Sequence, residues 1–534
     1  MSLKKMLLGD EAIAVGAVNA GIAGVYSYPG TPSTEITEYI QSMPLSVERK
    51  IHTDWCVNEK TAMEAALGVS YIGKRSLVCM KHVGMNVCAD AFVNSVIAGA
   101  NGGIVVVAAD DPSMHSSQNE QDSRFYGQFA FAPVLEPSSQ QEAYDMMRYA
   151  FELSEKYHTT VLLRVTTRMA HSRAVVEVAE TAEPSAPVRY PENPASWVLL
   201  PANSKRQYPV VLERYSQMEK EGENGGWNRY FEGKDKSMGI IACGIGYNYV
   251  RENVGNDCPW PLLKISQYPA PKNLIRKMAQ ECGCILVVED GQPFLEERIR
   301  GILPVGCEIK GRLSGELPRT GELTPDCVRS ALGMPAFETF PPSEIVVSRP
   351  PALCQGCGHR SVYEALNDVL KNYPDSKVFS DIGCYTLGYL PPFRAIHSTI
   401  DMGASITMAK GASDMGQYPA VAVIGDSTFT HSGMTGLLDA VNANSDMVVI
   451  ISDNLTTGMT GGQDSAGTGR MESICRGIGV DPDHLKVVVP LPKNMDEIRR
   501  TIREELEYHG LSVIIPRREC IQTARRHAKE KKNQ

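Results

Sequence analysis

Short apolar runs alternate with stretches of helical spacing from one end of this chain to the other. Ala12 to Ala20 reads as a helix, Val25 to Tyr28 as a short strand and Asn58 to Ile72 as a helix, while Leu77 to Met80 and Ile104 to Ala108 read as buried strands. This rhythm predicts an α/β domain on a parallel sheet over 1–185. Residues 186–235 are rich in Pro, Asn, Glu and Lys and read as a connector with some helix. A smaller α/β unit follows over 236–336, beginning at GIIACGIGY, whose Gly244 and Gly246 read as a strand-to-helix turn. The Pro-rich stretch around 337–349 reads as a linker. Residues 350–534 form a last α/β domain, in which Ala420 to Ile424, Ser432 to Asn444 and Met447 to Ile451 make a βαβ unit. The fold class expected is therefore multi-domain α/β with parallel sheets.

Composition leaves this picture intact. Across 534 residues, 43% are hydrophobic and 22% charged, which is ordinary for a soluble globular protein. At about 100–200 residues per domain, the length accommodates three or so. A net charge of −9 gives no reason to expect nucleic acid or a membrane surface as partner. The start, MSLKKMLLGDEA, is too short in apolar residues for a signal peptide and no membrane-spanning run occurs, so a cytoplasmic location is expected. The terminal RRHAKEKKNQ reads as a solvated tail.

The candidate chemistry starts at Gly425-Asp426-Ser427, followed after 25 residues by Asp453-Asn454. A βαβ unit brings the carboxyl ends of its two parallel strands together at a crevice. Asp426 and Asn454 would there be neighbouring hard oxygen donors, which suit Mg²⁺ carrying a diphosphate. An ordinary Asp cap and Asn turn is the competing reading.

Fourteen cysteines in such a chain do not read as a disulfide framework. Cys354 and Cys357 form a CxxC pair, Cys384 follows Ser380-Asp381-Ile382-Gly383, and Cys520 follows a C-terminal strand. Four thiolates converging there would fit zinc, an iron–sulfur cluster or a redox dithiol.

Near the front, YPGTPSTE (Tyr28 to Glu35) and VNEKTAMEAALG (Val57 to Gly68) pair a turn with a small-residue helix carrying Glu59 and Glu64. The polar segment from Asp110 to Ala130 carries His115 and Arg124, either of which would suit a carboxylate or polar acyl group. An exposed loop with ordinary hydrogen bonds is the plain alternative.

Together with MKHVGMNV, CQGCGHR, SDIGCYTLG and TGGQ, these motifs resemble the 2-oxoacid:ferredoxin oxidoreductases, and among them the large-subunit family of the indolepyruvate ferredoxin oxidoreductases. The resemblance implies thiamin diphosphate held by a pyrimidine domain and a diphosphate domain, with a transketolase C-terminal-like α/β domain over 236–336. It implies Asp426, Asn454 and Thr456 as Mg²⁺ ligands, although Ser427 and Asp453 depart from the Gly and Asn of the family's GDG and NN motif. It further implies Gly383, Cys384, Tyr385, Gly425, Ser427 and His431 near the cofactor, and Glu59, with Glu64 as competitor, activating its aminopyrimidine. Thr31 would face the substrate carboxylate. Cys354, Cys357, Cys384 and Cys520 would hold one [4Fe–4S] cluster, Cys475 being the alternative to Cys520.

The implied activity is oxidative decarboxylation of an arylpyruvate to an aryl-acetyl-CoA. Its implied partners are coenzyme A, ferredoxin or a similar acceptor, and a smaller β subunit, in a homodimer of large subunits or an α2β2 assembly. The family's large subunit usually ends in a ferredoxin-like domain, whereas this sequence stops 14 residues after Cys520. Electrons are therefore expected to leave from the single inner cluster or through another subunit. Two other readings stay open: a non-oxidative thiamin-diphosphate decarboxylase, and a non-catalytic subunit holding zinc.

Overall fold

The computed structural model describes residues 2–304 and 306–533. They divide into two compact units, Met1–Phe340 and Pro341–Gln534. The stretches 1–185 and 236–336, read from sequence as separate domains, lie in the same unit.

In that first unit a seven-stranded sheet runs in the order Gln267–Tyr268, Val134–Leu135, Val161–Thr166, Ile104–Asp110, Ser76–Lys81, Gly24–Ser27, His52–Trp55. All its neighbours are parallel except the first pair. The central strands are apolar without interruption because helices cover both faces. Along Ile104–Asp110 the pleat sends Val105, Val107 and Ala109 to a cluster with Ile13, Val18 and Phe151. Ile104, Val106 and Ala108 point the other way, toward Met63, Met85 and Phe92.

A five-stranded sheet lies in the order Glu308–Lys310, Cys284–Val288, Gly239–Cys243, Leu262–Ile265, Arg229–Phe231, parallel but for the last pair. Directly after Leu262–Ile265 the chain crosses to the edge of the larger sheet as Gln267–Tyr268. Gly244 turns with φ of +47° against Glu136, whose side chain leaves no room for a Cβ, so Gly-x-Gly is a packing turn here. The 186–235 stretch contains the 24-residue helix Pro201–Asn224.

A buried ionic network joins the two sheets. Arg164 donates to Asp110 at 2.5 Å, pairs with Glu136, and donates to the Asp290 carbonyl at 2.9 Å. Arg124 donates to Asp122 at 2.5 Å and to Glu289 at 2.8 Å, and Arg312 faces Asp290 at 3.4 Å. Charges this deep persist only when paired. Burial works against ionising Asp122, yet Arg124 and Arg164 hold its carboxyl down at about 2. Asp110, Glu289 and Asp290 are raised by burial instead, Asp290 to about 6.

The second unit is built on a parallel sheet in the order Ser398–Thr399, Lys377–Ser380, Ala420–Gly425, Met447–Ser452, Leu511–Pro516, Leu485–Val488. Val421 and Val423 pack on one side with Val362, Leu366 and Ile502, and Ala420, Ala422 and Ile424 on the other with Ile406 and Leu437. The basic C-terminal stretch is helical over Ile521–Asn533 rather than a loose tail. Arg526 in it donates to the carbonyls of Gly461 and Gly462, both at 2.9 Å, while Gln534 lies outside the described residues. No helix among the described residues is long and apolar enough to cross a membrane.

Candidate active site

Parallel strands deliver whatever follows them to one edge of the sheet. In the second unit, Asp381 and Cys384 follow Lys377–Ser380, Asp426 follows Ala420–Gly425, Asp453 and Asn454 follow Met447–Ser452, and Cys520 follows Leu511–Pro516. The candidate residues therefore meet by topology, although more than 130 positions separate Asp381 from Cys520.

Asp426 is 2% exposed, and its Oδ2 has no hydrogen-bond partner. Leaving a buried acceptor unpaired costs about 1–3 kcal/mol, and more when it is charged. Burial, and after it the nearby Asp453, push the Asp426 carboxyl up to about 7. Asp453 is buried too; its Oδ2 accepts from Arg517 at 2.6 Å and its Oδ1 is unpartnered. Two neighbouring carboxylates, of which only Asp453 is paired with a guanidinium, fit a divalent cation. Asn454 Oδ1 accepts the Thr456 N–H at 3.2 Å, across Leu455 at φ +62°. The Thr456 hydroxyl donates to the Gln463 carbonyl at 2.8 Å, so a metal would have to use its main chain.

Ser427 lies beside this group, its Oγ accepting from Thr457 at 3.0 Å. A Cβ on Gly383 or Gly425 would fall 2.4 or 2.5 Å from the Tyr385 ring, so both glycines are needed for close packing. Tyr385 is buried and its hydroxyl donates to the Ile382 carbonyl at 2.9 Å. It thus shapes the loop with its ring, and its O–H is already used. His431 sits buried on the π-helical turn Phe429–Gly433, its Nδ1 2.6 Å from Ser432 Oγ. Such turns recur at functional sites.

A cleft of about 100 Å³ adjoins these residues and is lined by Cys354, Cys357, Cys384, Cys520, Asp453 and Asn454, among others. Cys475 is elsewhere, buried in the core with Met471 and Phe429. Gly458 adjoins three of these groups: a Cβ there would lie 3.5 Å from Cys384 Sγ, 3.9 Å from Cys520 Sγ and 3.7 Å from Asn454 Nδ2, in ordinary contact. Burial, with Cys357, Cys520 and Cys354 adding to it, pushes the Cys384 thiol up to about 12. Among the described residues no three of these sulfurs lie within 4.8 Å of one another. His359 packs beside Cys357, its Nδ1 3.3 Å from the sulfur, and burial drives it down to about 4, so it is neutral.

The first unit gathers its candidates at the carboxyl edge of the seven-stranded sheet. Glu59 is 4% exposed and opens the helix Glu59–Tyr71, which Asn58 caps by accepting the Thr61 N–H at 2.9 Å. Gly84 lets the neighbouring helix approach: a Cβ there would be 2.7 Å from Glu59 Oε1. Glu64, the competing choice, is half-exposed and paired with Lys60. The Thr31 carbonyl faces Ser116 Oγ at 3.5 Å, and the Ser116 carbonyl accepts from Lys81 Nζ at 2.9 Å. Burial lowers Lys81, with Asp111 and Glu59 opposing. Lys81 is the residue that sequence reading passed over. The available signal was its place at the end of the apolar run Leu77 to Met80.

Arg124 does not serve as expected. It is 0% exposed and locked to Asp122 and Glu289, so it offers no donor to a substrate. The polar segment around it reads as a free loop because Glu289, one of its two partner carboxylates, lies 165 positions along the chain. His115 is about half-exposed and faces Glu322 at 3.6 Å.

Residues 15–223 match the family model for the pyruvate flavodoxin/ferredoxin oxidoreductase thiamine-diphosphate-binding domain. Residues 381–515 match that for the C-terminal TPP-binding domain of thiamine pyrophosphate enzymes. The chain is 39% identical to the indolepyruvate oxidoreductase subunit IorA of Archaeoglobus fulgidus, covering 97% of this chain and 86% of that one. It is 37% identical to the subunit of the same name from Thermococcus kodakarensis, over 96% and 85%. The ketoisovalerate oxidoreductase subunit VorB of Methanothermobacter marburgensis is 26% identical over 59% of this chain and 94% of its own. In fold the chain is similar to a 2-oxoglutarate:ferredoxin oxidoreductase from Magnetococcus marinus, at TM-score 0.50 and 16% identity, over 62% of this chain and 65% of that one. With relatives this similar along nearly its whole length, the chain belongs to the family of indolepyruvate oxidoreductase alpha subunits, thiamin-diphosphate-dependent enzymes of the 2-oxoacid:ferredoxin oxidoreductase superfamily.

Proposed function

We propose that this chain oxidatively decarboxylates an arylpyruvate of the indolepyruvate kind to an aryl-acetyl-CoA, working with a smaller subunit and passing two electrons to ferredoxin or a similar acceptor. The observation that carries the reading is the buried, unpartnered Asp426 Oδ2 beside Asp453, next to a cleft lined by four cysteines. Bound thiamin diphosphate supplies the electron sink for decarboxylation, and a cluster takes the electrons one at a time.

This chain's residues do the rest. Asp426, Asn454 and the main chain at Thr456 would hold Mg²⁺ for the diphosphate, the orphaned Asp426 Oδ2 fitting a hard cation. Glu59, buried against Gly84, holds a proton for the aminopyrimidine. Lys81 and Thr31 orient the substrate carboxylate until it leaves as CO₂, Lys81 replacing Arg124 as the cation. Cys354, Cys357, Cys384 and Cys520 hold a [4Fe–4S] cluster. A cluster suits the reaction better than zinc, because Zn²⁺ has no redox chemistry with which to accept the electrons. A non-oxidative decarboxylase would have no use for the cysteine cleft.

Anaerobic purification followed by iron, acid-labile sulfide and zinc analysis tests the reading. Iron and sulfide in equal amounts, with indolepyruvate-dependent reduction of ferredoxin in the presence of coenzyme A and the partner subunit, are expected. Zinc without sulfide, or aldehyde release without reduction of the acceptor, overturns it.

A further inference from the structure

We propose that Asp10, Glu35 and His171 form a second divalent-cation site, of the Mn²⁺ class, that ties down the turn carrying Thr31. One carboxylate oxygen from each acid and one imidazole nitrogen lie within 4.8 Å of one another. Among the described residues no other three His, Cys, Asp or Glu side chains come so close.

Asp10 is the second observation. It is 0% exposed, and neither of its carboxylate oxygens has a hydrogen-bond partner. It is the second residue of the helix Gly9–Asn19, but it does no capping work: Glu11 accepts the Leu8 N–H at 2.8 Å. Glu35 Oε2 is likewise buried and unpartnered, while its Oε1 faces His171 Nε2 at 3.4 Å. Two carboxylates held this close need a cation or a shared proton between them. Two hard carboxylates with one borderline imidazole nitrogen suit Mn²⁺, Fe²⁺ or Zn²⁺ better than Ca²⁺, which takes oxygen ligands.

The three ligands come from separate elements that are already drawn together. Gly9 lies so close to the helix Thr167–His171 that a Cβ would be 2.0 Å from the Met169 carbonyl. Glu35 belongs to the helix Thr34–Ser42, whose first residue accepts the Gly30 N–H at 3.0 Å, directly beside Thr31. An ion here would fix that turn against the body of the unit. The partly exposed edges of Glu35 and His171 give it a path in.

The test uses the full chain carrying Asp426→Ala, which silences the diphosphate-side cation, titrated with Mn²⁺ and followed by the electron paramagnetic resonance signal of the free ion. Mn²⁺ is chosen because thiolates hold it poorly. One bound equivalent per chain is expected, with a higher unfolding midpoint. Adding Asp10→Asn or His171→Gln should weaken binding by about tenfold or more, since even outer-sphere changes do as much. His171→Gln, at a helix end and partly exposed, keeps the test open should Asp10→Asn fail to fold. No bound Mn²⁺ in the Asp426→Ala chain, or undiminished binding in a folded second variant, overturns the proposal and leaves Asp10 and Glu35 sharing a proton.

Discussion

At the scale of single residues, the candidate site is defined by groups whose bonding is incomplete. Asp426 keeps one buried oxygen unpaired, so Asp426→Ala should abolish Mg²⁺ and thiamin diphosphate binding together while the protein stays folded. Isothermal titration with the coenzyme checks this, and unchanged affinity would sink the metal assignment. Glu59 is enclosed by Gly84 and Glu64 is solvated. Glu59→Gln should keep coenzyme affinity and lose about 10²–10⁴-fold in turnover, the usual worth of a positioned proton donor, whereas Glu64→Gln should stay near wild type. Among the cysteines, Cys520→Ser should lower iron content and Cys475→Ser should not, because Cys475 is a core residue away from the cleft. Equal iron in both variants would contradict the four-cysteine assignment. The motif around Asp426 was legible in sequence because its donors sit at strand ends. The choice between Cys520 and Cys475 was not, since both follow plausible elements and only packing separates them.

Elements explain where the sequence misled. Arg124 sits in a segment polar enough to pass for a loop, yet it opens the helix Arg124–Ala130 and is neutralised by Asp122 and Glu289. The network set five carboxylates (Asp110, Asp122, Glu136, Glu289, Asp290) against Arg124, Arg164 and Arg312. Burial outweighs the Leu323 N–H and the Arg164 and Arg312 guanidiniums at Asp290, raised to about 6, against about 3.9 for an unfolded aspartate. The folded state therefore keeps a proton that the unfolded chain has lost. That contribution to stability is complete below about pH 4 and disappears as pH rises through about 6. Asp290→Asn cannot titrate, so its unfolding midpoint relative to wild type should rise between pH 4 and pH 7. A pH-independent difference in paired melting curves would show that Asp290 ionises normally in the fold. The C-terminal helix makes the same point about reading composition: Arg526 is placed by two carbonyls in a glycine turn that no charge pattern announces.

For the whole molecule, two units with cores of their own are joined by a stretch in which Phe340 is 94% exposed and Ile345, Val346 and Val347 are exposed as well. Limited proteolysis should cut there first and release two fragments that resist further digestion. Early cleavage within 186–235 instead would mean that the long helix Pro201–Asn224 is not held to its unit. The Pro-rich linker was visible in sequence. The joining of 1–185 to 236–336 was not, because it depends on a two-residue strand, Gln267–Tyr268, and on an ion pair and a side-chain-to-carbonyl hydrogen bond between residues more than a hundred positions apart.

Local order in the chain was enough to set the α/β class, the parallel sheets and the sites where chemistry gathers. Periodicity, strand-end residues and glycines are local properties, and a parallel sheet turns them into a common edge. That Cys520 lines the cleft while Cys475 is buried in the core, that Arg124 is locked in ion pairs, and which acids share a pocket were decided by tertiary structure. Burial and charge pairing are properties of neighbours in space, and neighbours far apart in sequence carry no mark of one another until the chain folds.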